Sequence, residues 1–278
     1  MPVPPAPVVY NAEERDLPPW ARQGHFHFIR VDGGEIESKK ALRTHWGVHF
    51  SERETEILSN IYGKYSDTLF KRLGEADYNW IWVTWSNGWS TPEEEAQWAV
   101  LRRFIQDAHS RQIKVTAYLS ASNMFWESMF RDEPRSITWV RIEDGLPLNY
   151  HGRKNKMRFL ADIGNPEWRA YVLDKAGAAI DAGVDGVFFD NIKGPIEYLQ
   201  LLFSEFQDMA AKKARSSGNR KAVLYVNAHL EPEKMALFDI GELIHNEYGK
   251  TTPGVWDDIG WDVGNVRKTK FLHVSKYP

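Results

Sequence analysis

The sequence predicts a parallel α/β architecture, a (β/α)8 TIM barrel that is either complete or cut short at its C-terminus. Three observations carry this reading. Short runs rich in Val, Ile, Phe, Tyr and Trp recur along the 278 residues. Segments with apolar residues at helical spacing lie between them. Nearly every run ends in acids, amides or hydroxyls, the pattern of barrel strands whose following loops carry the chemistry.

In chain order the expected strands are His25 to Val31, Asn79 to Thr84, Lys114 to Leu119, Gly186 to Asp190, Ala222 to Asn227, Glu242 to Glu247 and Lys270 to Ser275. Runs this short and this rich in β-branched and aromatic residues read as strands. In Val187-Phe188-Phe189 neighbouring positions are all apolar, so both faces must be covered, as in a parallel sheet packed under helices. No eighth run is visible before Lys276-Tyr277-Pro278.

Three helices are expected between the strands. Thr91-Pro92-Glu93-Glu94 offers a cap, a proline at the first helical position and an acid three residues after the cap. Behind it Trp98, Leu101, Ile105 and Ala108 line one face. Asn165-Pro166-Glu167-Trp168 opens the second in the same manner, above Val172, Ala176 and Ala179. From Ile196 the set Leu199, Leu202, Phe203, Phe206 and Ala210 makes the third, which Ser216-Ser217-Gly218-Asn219 breaks.

Bulk composition narrows the function classes. A hydrophobic fraction of 42% and a charged fraction of 26% describe an ordinary globule. The net charge of −3 and the absence of a basic run point away from nucleic acid. There are no cysteines, which excludes disulfides and thiolate metal sites. No stretch approaches a membrane span, and no signal-peptide pattern is visible. Residues 1–20 read as a proline-rich leader and 21–278 as the barrel. Localisation and oligomeric state stay open at this level. The 12 tryptophans are more telling. Several stand beside polar residues, in Trp82-Val83-Thr84-Trp85-Ser86-Asn87-Gly88-Trp89 and in Asn123-Met124-Phe125-Trp126. Aromatic faces next to amides and hydroxyls suit the apolar faces and hydroxyl edges of sugar rings.

At the strand ends, Asp190 closes the fourth strand and Glu247 the sixth. Two carboxylates on one rim, one acting as acid and the other as nucleophile or base, are the minimum machinery for cleaving a glycosidic bond. Candidate sugar contacts are Trp85, Asn87, Tyr118, Asn123, Trp126 and Asn227, together with Asn191 and His229. Asp162 has two readings of equal weight, a substrate contact or a residue shaping the start of the helix at Asn165-Pro166. Arg158 could meet an acidic sugar but reads better as solvent-facing. A carbohydrate substrate is expected, with no cofactor and no metal.

From Lys114 to Asn191 the sequence resembles the uncharacterised (β/α)8 glycoside hydrolases distantly similar to the alpha-amylase superfamily. The matching blocks are Val115-Thr116-Ala117-Tyr118-Leu119-Ser120, the loop through Trp126, Asp162-Ile163-Gly164-Asn165-Pro166-Glu167-Trp168 and, above all, Gly183-Val184-Asp185-Gly186-Val187-Phe188-Phe189-Asp190-Asn191. The resemblance implies that Asp190 is the catalytic nucleophile and that a glutamate on a later strand, for which Glu247 is the nearest fit, is the acid/base. It also brings departures. Phe188 stands where the amylase pattern has arginine, the fifth strand ends in Asn227 instead of an acid, and no late-strand aspartate can be located.

Two rival readings remain at this level. His25, His27, His229 and His245 suggest a metal-dependent amidohydrolase barrel, in which imidazoles hold a metal that activates water. Against it, His25 and His27 open their strand instead of ending it. A carbohydrate-binding barrel without turnover would account for the missing third acid.

Overall fold

All seven expected strands form, and all pair in one parallel sheet. The computed structural model describes residues 20, 28–31, 80–150, 158–218, 221–227, 240–244 and 270–274. In chain order its elements are β1 (Phe28–Val31), β2 (Trp80–Ser86), α1 (Thr91–Ser110), β3 (Lys114–Ser120), β4 (Asn123–Phe125), α2 (Trp126–Asp132), a 3-10 turn (Pro134–Trp139), β5 (Ile142–Glu143), β6 (Leu146–Pro147), β7 (Arg158–Leu160), α3 (Pro166–Asp181), β8 (Gly186–Asp190), α4 (Ile196–Ser217), β9 (Val223–Asn227), β10 (Ile240–Ile244) and β11 (Lys270–Val274).

The main sheet runs β1-β2-β3-β8-β9-β10-β11 with every neighbour parallel. A doubly wound sheet reverses its order at a switch point. Here the spatial order is the chain order, with no such reversal among the described strands. Between β3 and α3 the chain makes an insertion that begins at the carboxyl end of β3. In it β4 pairs antiparallel with β7, and β5 pairs with β6.

Alternation along the strands gives the sheet two different faces. One set, including Ile81, Val83 and Trp85 of β2, Val115, Ala117 and Leu119 of β3, and Val187 and Phe189 of β8, packs in one buried cluster with the helices. The helix residues that meet it are those the spacing predicts: Trp98, Leu101, Ile105 and Ala108 on α1, Val172, Ala176 and Ala179 on α3, and Leu199, Leu202, Phe203, Phe206 and Ala210 on α4. Each large side chain buried in this layer contributes roughly 1.5–3 kcal/mol. On the other face Trp82 meets Phe188 at 4.5 Å and Tyr118 at 5.4 Å between ring centroids, and all three are buried. Below them the Trp80 indole N–H donates to Thr116 Oγ1 at 2.5 Å.

Local chemistry explains the boundaries. The Asn165 side chain accepts the Glu167 amide proton at 2.9 Å and caps α3, with Pro166 in the first turn. Helix α4 stops at Gly218, whose φ of +69° is left-handed. Two expectations need correction. The first is α1, for which Ser90 is the N-cap, without a side-chain cap bond, and Glu94 is part of a buried ion pair instead of a capping motif. The second is the start of the sixth strand, which the sequence placed at Glu242 and which the structure places at Ile240. Pairing with Tyr225 of β9 and Lys270 of β11 begins at Ile240. The described part of this strand ends at Ile244, and Glu247 lies outside the described residues.

Asp185, just ahead of β8, ties the opposite end of the sheet. Its carboxylate accepts from His109 Nε2 at 2.7 Å, Lys114 Nζ at 2.8 Å and the Val115 amide at 3.0 Å. Burial opposes its charge, but these three donors overcome that cost and hold it below the ordinary aspartate range. A depressed carboxylate contributes stability that is present above its unfolded pKa, about 3.9, and is lost as pH falls through its lower native value. Asp185→Asn is thus expected to lower Tm at neutral pH, with the gap to wild type closing below about pH 4. Thermal melts at a series of pH values measure this, and a gap that stays constant into acid contradicts it.

Candidate active site

The carboxyl end of β8 gathers the polar groups. Phe188 and Phe189 are buried on opposite faces of the strand, and Asp190 follows, half-buried. Its Oδ2 accepts the Tyr118 hydroxyl proton at 2.8 Å and its Oδ1 accepts the Asn191 amide at 2.7 Å. These two donors, one from each of two neighbouring strand ends, fix the plane of the carboxylate.

Asn191 turns the chain sharply away. Its φ of +55° is left-handed, a conformation asparagine tolerates better than most L residues. Its Nδ2 donates to the Tyr118 hydroxyl and to Ser120 Oγ, both at 3.1 Å, and the Tyr150 hydroxyl bonds its Oδ1. The Ser122 hydroxyl donates to the Asn191 carbonyl and accepts the Lys193 amide at 3.0 Å. Asp190, Asn191, Tyr118, Ser120, Ser122 and Tyr150 thus form one hydrogen-bonded patch.

Two cations border it. Lys193 Nζ stands 4.0 Å from the centre of the Tyr150 ring, and the Arg158 guanidinium lies 5.3 Å from the same ring and 4.8 Å from Phe125. Partial burial lowers the pKa of Lys193, and repulsion from Arg158 lowers it further against an opposing pull from Asp190. Arg158 is buried, not solvent-facing as the sequence suggested.

The neighbouring rim loop after β2 is tied down by a buried ion pair. Glu94 Oε1 accepts the amides of Asn87 at 2.8 Å and Trp89 at 3.1 Å, and its Oε2 meets Lys175 Nζ at 2.5 Å. Lys175 also donates to the Trp89 carbonyl at 2.5 Å. Burial works against the ammonium, yet the charge of Glu94 and the Tyr171 hydroxyl bring its pKa above the usual lysine value. Trp89 stacks on Phe125 with centroids 3.9 Å apart and the rings parallel within 1°. Asn123 Nδ2 donates to the Asn87 carbonyl at 2.8 Å and joins the two loops.

Gly88, between Asn87 and Trp89, has a φ of +97°, and a Cβ there would lie 2.0 Å from the Asn123 carbonyl oxygen. Gly88→Ala is expected to destabilise the protein by at least about 1–3 kcal/mol, the usual cost of such backbone strain, with the overlap added. Chemical denaturation measures it, and an unchanged midpoint would contradict the contact.

The sequence-predicted residues divide as follows. Asp190, Asn191 and Tyr118 come together, and Asn123 and Asn87 brace the adjoining loop. Trp126 is 38% exposed at the start of α2, tilted against Phe130, and offers an accessible ring on the insertion. Trp85 lies on the sheet's other face, stacked on Trp98 at 4.8 Å and 2% exposed, so it belongs to the core and not to the sugar-contacting set. Asp162 shapes the turn before α3. Its Oδ1 accepts the Gly164 amide at 3.0 Å and its carbonyl accepts the Asn165 amide at 2.9 Å. Asn227 ends β9 in register with Glu242 of β10. His229 and Glu247 lie outside the described residues, as do His25, His27 and His245 of the metal reading. Sequence reasoning missed Ser122, Tyr150 and Lys193. The first two sit in the irregular insertion and Lys193 just past the end of β8, so none has a periodic signature.

Among the described residues, no cluster of three His, Asp or Glu is placed to hold a metal ion, and no helix is long and apolar enough to cross a membrane.

No family model and no curated protein matches the chain. Solved structures do. The debranching enzyme of Nostoc punctiforme is 16% identical with a TM-score of 0.51, over 81% of this chain and 52% of that one. An alpha-amylase from Lactobacillus plantarum is 13% identical with a TM-score of 0.52, over 72% of this chain and 54% of that one. The chain spans about half the length of these proteins. At such identity the likeness speaks for the fold.

Proposed function

We propose that this chain is a glycoside hydrolase acting on an oligo- or polysaccharide, built on a (β/α)8 barrel over residues 21–278 behind the leader 1–20. The observation that carries the reading is the setting of Asp190. It stands at the carboxyl end of an inner parallel strand, its two oxygens oriented by Tyr118 and Asn191, above an aromatic layer. Barrel enzymes carry their reacting groups at that end of the strands. The names of the structural neighbours, a debranching enzyme and an alpha-amylase, support the same class of substrate.

In this reading Asp190 is the nucleophile or base, and a second carboxylate from the sixth strand region, for which the sequence offers Glu247, is its partner. Trp126, Asn191, Asn227 and His229 are proposed sugar contacts, with the buried Asn87 and Asn123 bracing the loop beside them and Asp162 shaping the turn before α3. The reading is tested by incubating the protein with a panel of α-glucans and aryl glycosides and measuring released reducing ends or aglycone. Wild type should release product and Asp190→Asn should not. Equal release by both, or none from wild type across the panel, overturns it.

A further inference from the structure

We infer that Lys193 and Arg158 make an anion-recognition site beside Asp190, so that the sugar bound there carries a carboxylate or an equivalent anionic group; this takes from the glycosidase reading above only that a sugar docks at Asp190.

The inference starts from two cations gathered on one ring. Tyr150 precedes β7, Arg158 opens it and Lys193 follows β8. Lys193 Nζ stands 4.0 Å from the Tyr150 ring centre and the Arg158 guanidinium 5.3 Å from it. The two charges are therefore within about 10 Å of each other, a range over which salt water does not fully screen them. The Tyr150 hydroxyl bonds the side chain of Asn191, the residue after Asp190, so the pair borders the carboxylate. The charge of Lys193 is coupled to Arg158 and to Asp190 alike. These three groups together leave an excess of one positive charge where the sugar would lie.

A second observation is that Lys193 is held in place with donors to spare. Lys114, Lys175 and Lys213 each meet a carboxylate, at 2.8, 2.5 and 2.7 Å. Among the described residues Lys193 meets none. Its ammonium rests on the Tyr150 ring and makes one long bond, 3.4 Å, to the Tyr150 carbonyl. An ammonium has three donors. The residue is exposed, so a ligand can reach it, whereas Arg158 is buried against Phe125 and Tyr150.

These features fit a charged ligand better than a neutral one. Sugar hydroxyls can be met by the amide and hydroxyls already at the site, Asn191, Ser120 and Tyr118. A charged donor gains most from a charged acceptor. An anionic sugar would also be repelled by Asp190, and two cations beside that carboxylate offset the repulsion. Burial and Arg158 both weigh against the charge on Lys193, and an arriving anion acts in the opposite sense. An ammonium is a point charge without a planar fork, so a carboxylate, a sulfate ester or a phosphate ester would each serve.

The test uses 4-nitrophenyl 1-thioglucosides, in both anomers, that differ only at C6: hydroxymethyl, carboxylate, sulfate ester and phosphate ester. The sulfur link resists hydrolysis, so binding is read without turnover, by calorimetric or NMR titration. Wild type is expected to bind at least one anionic form about tenfold or more tightly than the hydroxymethyl form, the scale of one charge-assisted contact. Which anionic forms show the gain identifies the group recognised. Lys193→Gln should cut the anionic-to-neutral affinity ratio about fivefold or more, whereas Lys193→Arg, which keeps the charge, should hold it within about threefold. A lysine that acted only through Asp190, or only on the fold, would leave that ratio unchanged. An unchanged ratio in Lys193→Gln, no anionic preference in wild type, or no binding of any form overturns the inference, and the glycosidase reading keeps its own test. Anion-selective binding by a protein that hydrolyses no O-glycoside overturns the glycosidase reading and leaves this one standing.

Discussion

Asp190→Asn is expected to lower turnover by on the order of 10³-fold or more while leaving the melting temperature almost unchanged. The two halves of this expectation have different sources. Turnover falls because a neutral amide can neither attack an anomeric carbon nor take a proton from water. Stability survives because the hydrogen bonds can be remade. The asparagine oxygen can keep the Asn191 amide, which Asp190 Oδ1 now accepts at 2.7 Å. The new NH2 group would face the Tyr118 hydroxyl oxygen, which already accepts Asn191 Nδ2 at 3.1 Å and has a second lone pair to receive it. The expected stability change is within about 1 kcal/mol. Parallel measurement of kcat and Tm separates the effects. Turnover preserved in a folded variant removes Asp190 from the mechanism, and a collapse of Tm would mean that the carboxylate supports the fold.

The largest expected stability effect is at Lys175→Met. Lys175 is 3% exposed and its partner Glu94 6%, by side chain. Two charges in such a place are costly to bury, and their pairing about offsets the cost. Removing one leaves the other stranded, an expected loss of about 3–5 kcal/mol. Combining Lys175→Met with Glu94→Gln should recover part of it, because the glutamine oxygen can still accept the Asn87 and Trp89 amides that Glu94 Oε1 now holds. Urea unfolding of both variants provides the measurement. A single variant as stable as wild type, or a double variant worse than the single, would contradict the account.

The regular frame was legible because it obeys periodic rules. The strand at Gly186–Asp190 was bounded correctly from Val187-Phe188-Phe189 and the acid that follows. The helix-facing set on α1 was readable from its 3.6-residue spacing. The sixth strand was started two residues late because Glu242, an acid within the strand, resembles a strand start, and Ile240, two residues ahead of it, was passed over. Trp85 was misread for a related reason. It stands among polar residues in sequence, but the alternation of β2 turns it toward α1 and away from the rim. Glu94 fitted a local capping pattern, yet its partner Lys175 is far away in the chain, and no local pattern announces such a pairing. The contributions of Tyr150 and Lys193 to the Asp190 patch depend on how the insertion between β3 and α3 folds back, which spacing along the chain does not encode.

The two-faced sheet bears on how far such sequences can drift apart. Residues between sheet and helices are constrained in volume and pattern more than in identity, and cores of this kind accept wholesale exchange of one apolar group for another. The strand ends answer to a different demand, the shape and polarity of whatever docks there. An overall likeness of fold can persist between chains sharing 13% or 16% of their residues, as it does here. The tightest local constraint in this frame is then not a bulky position but Gly88, where any side chain would overlap the Asn123 carbonyl.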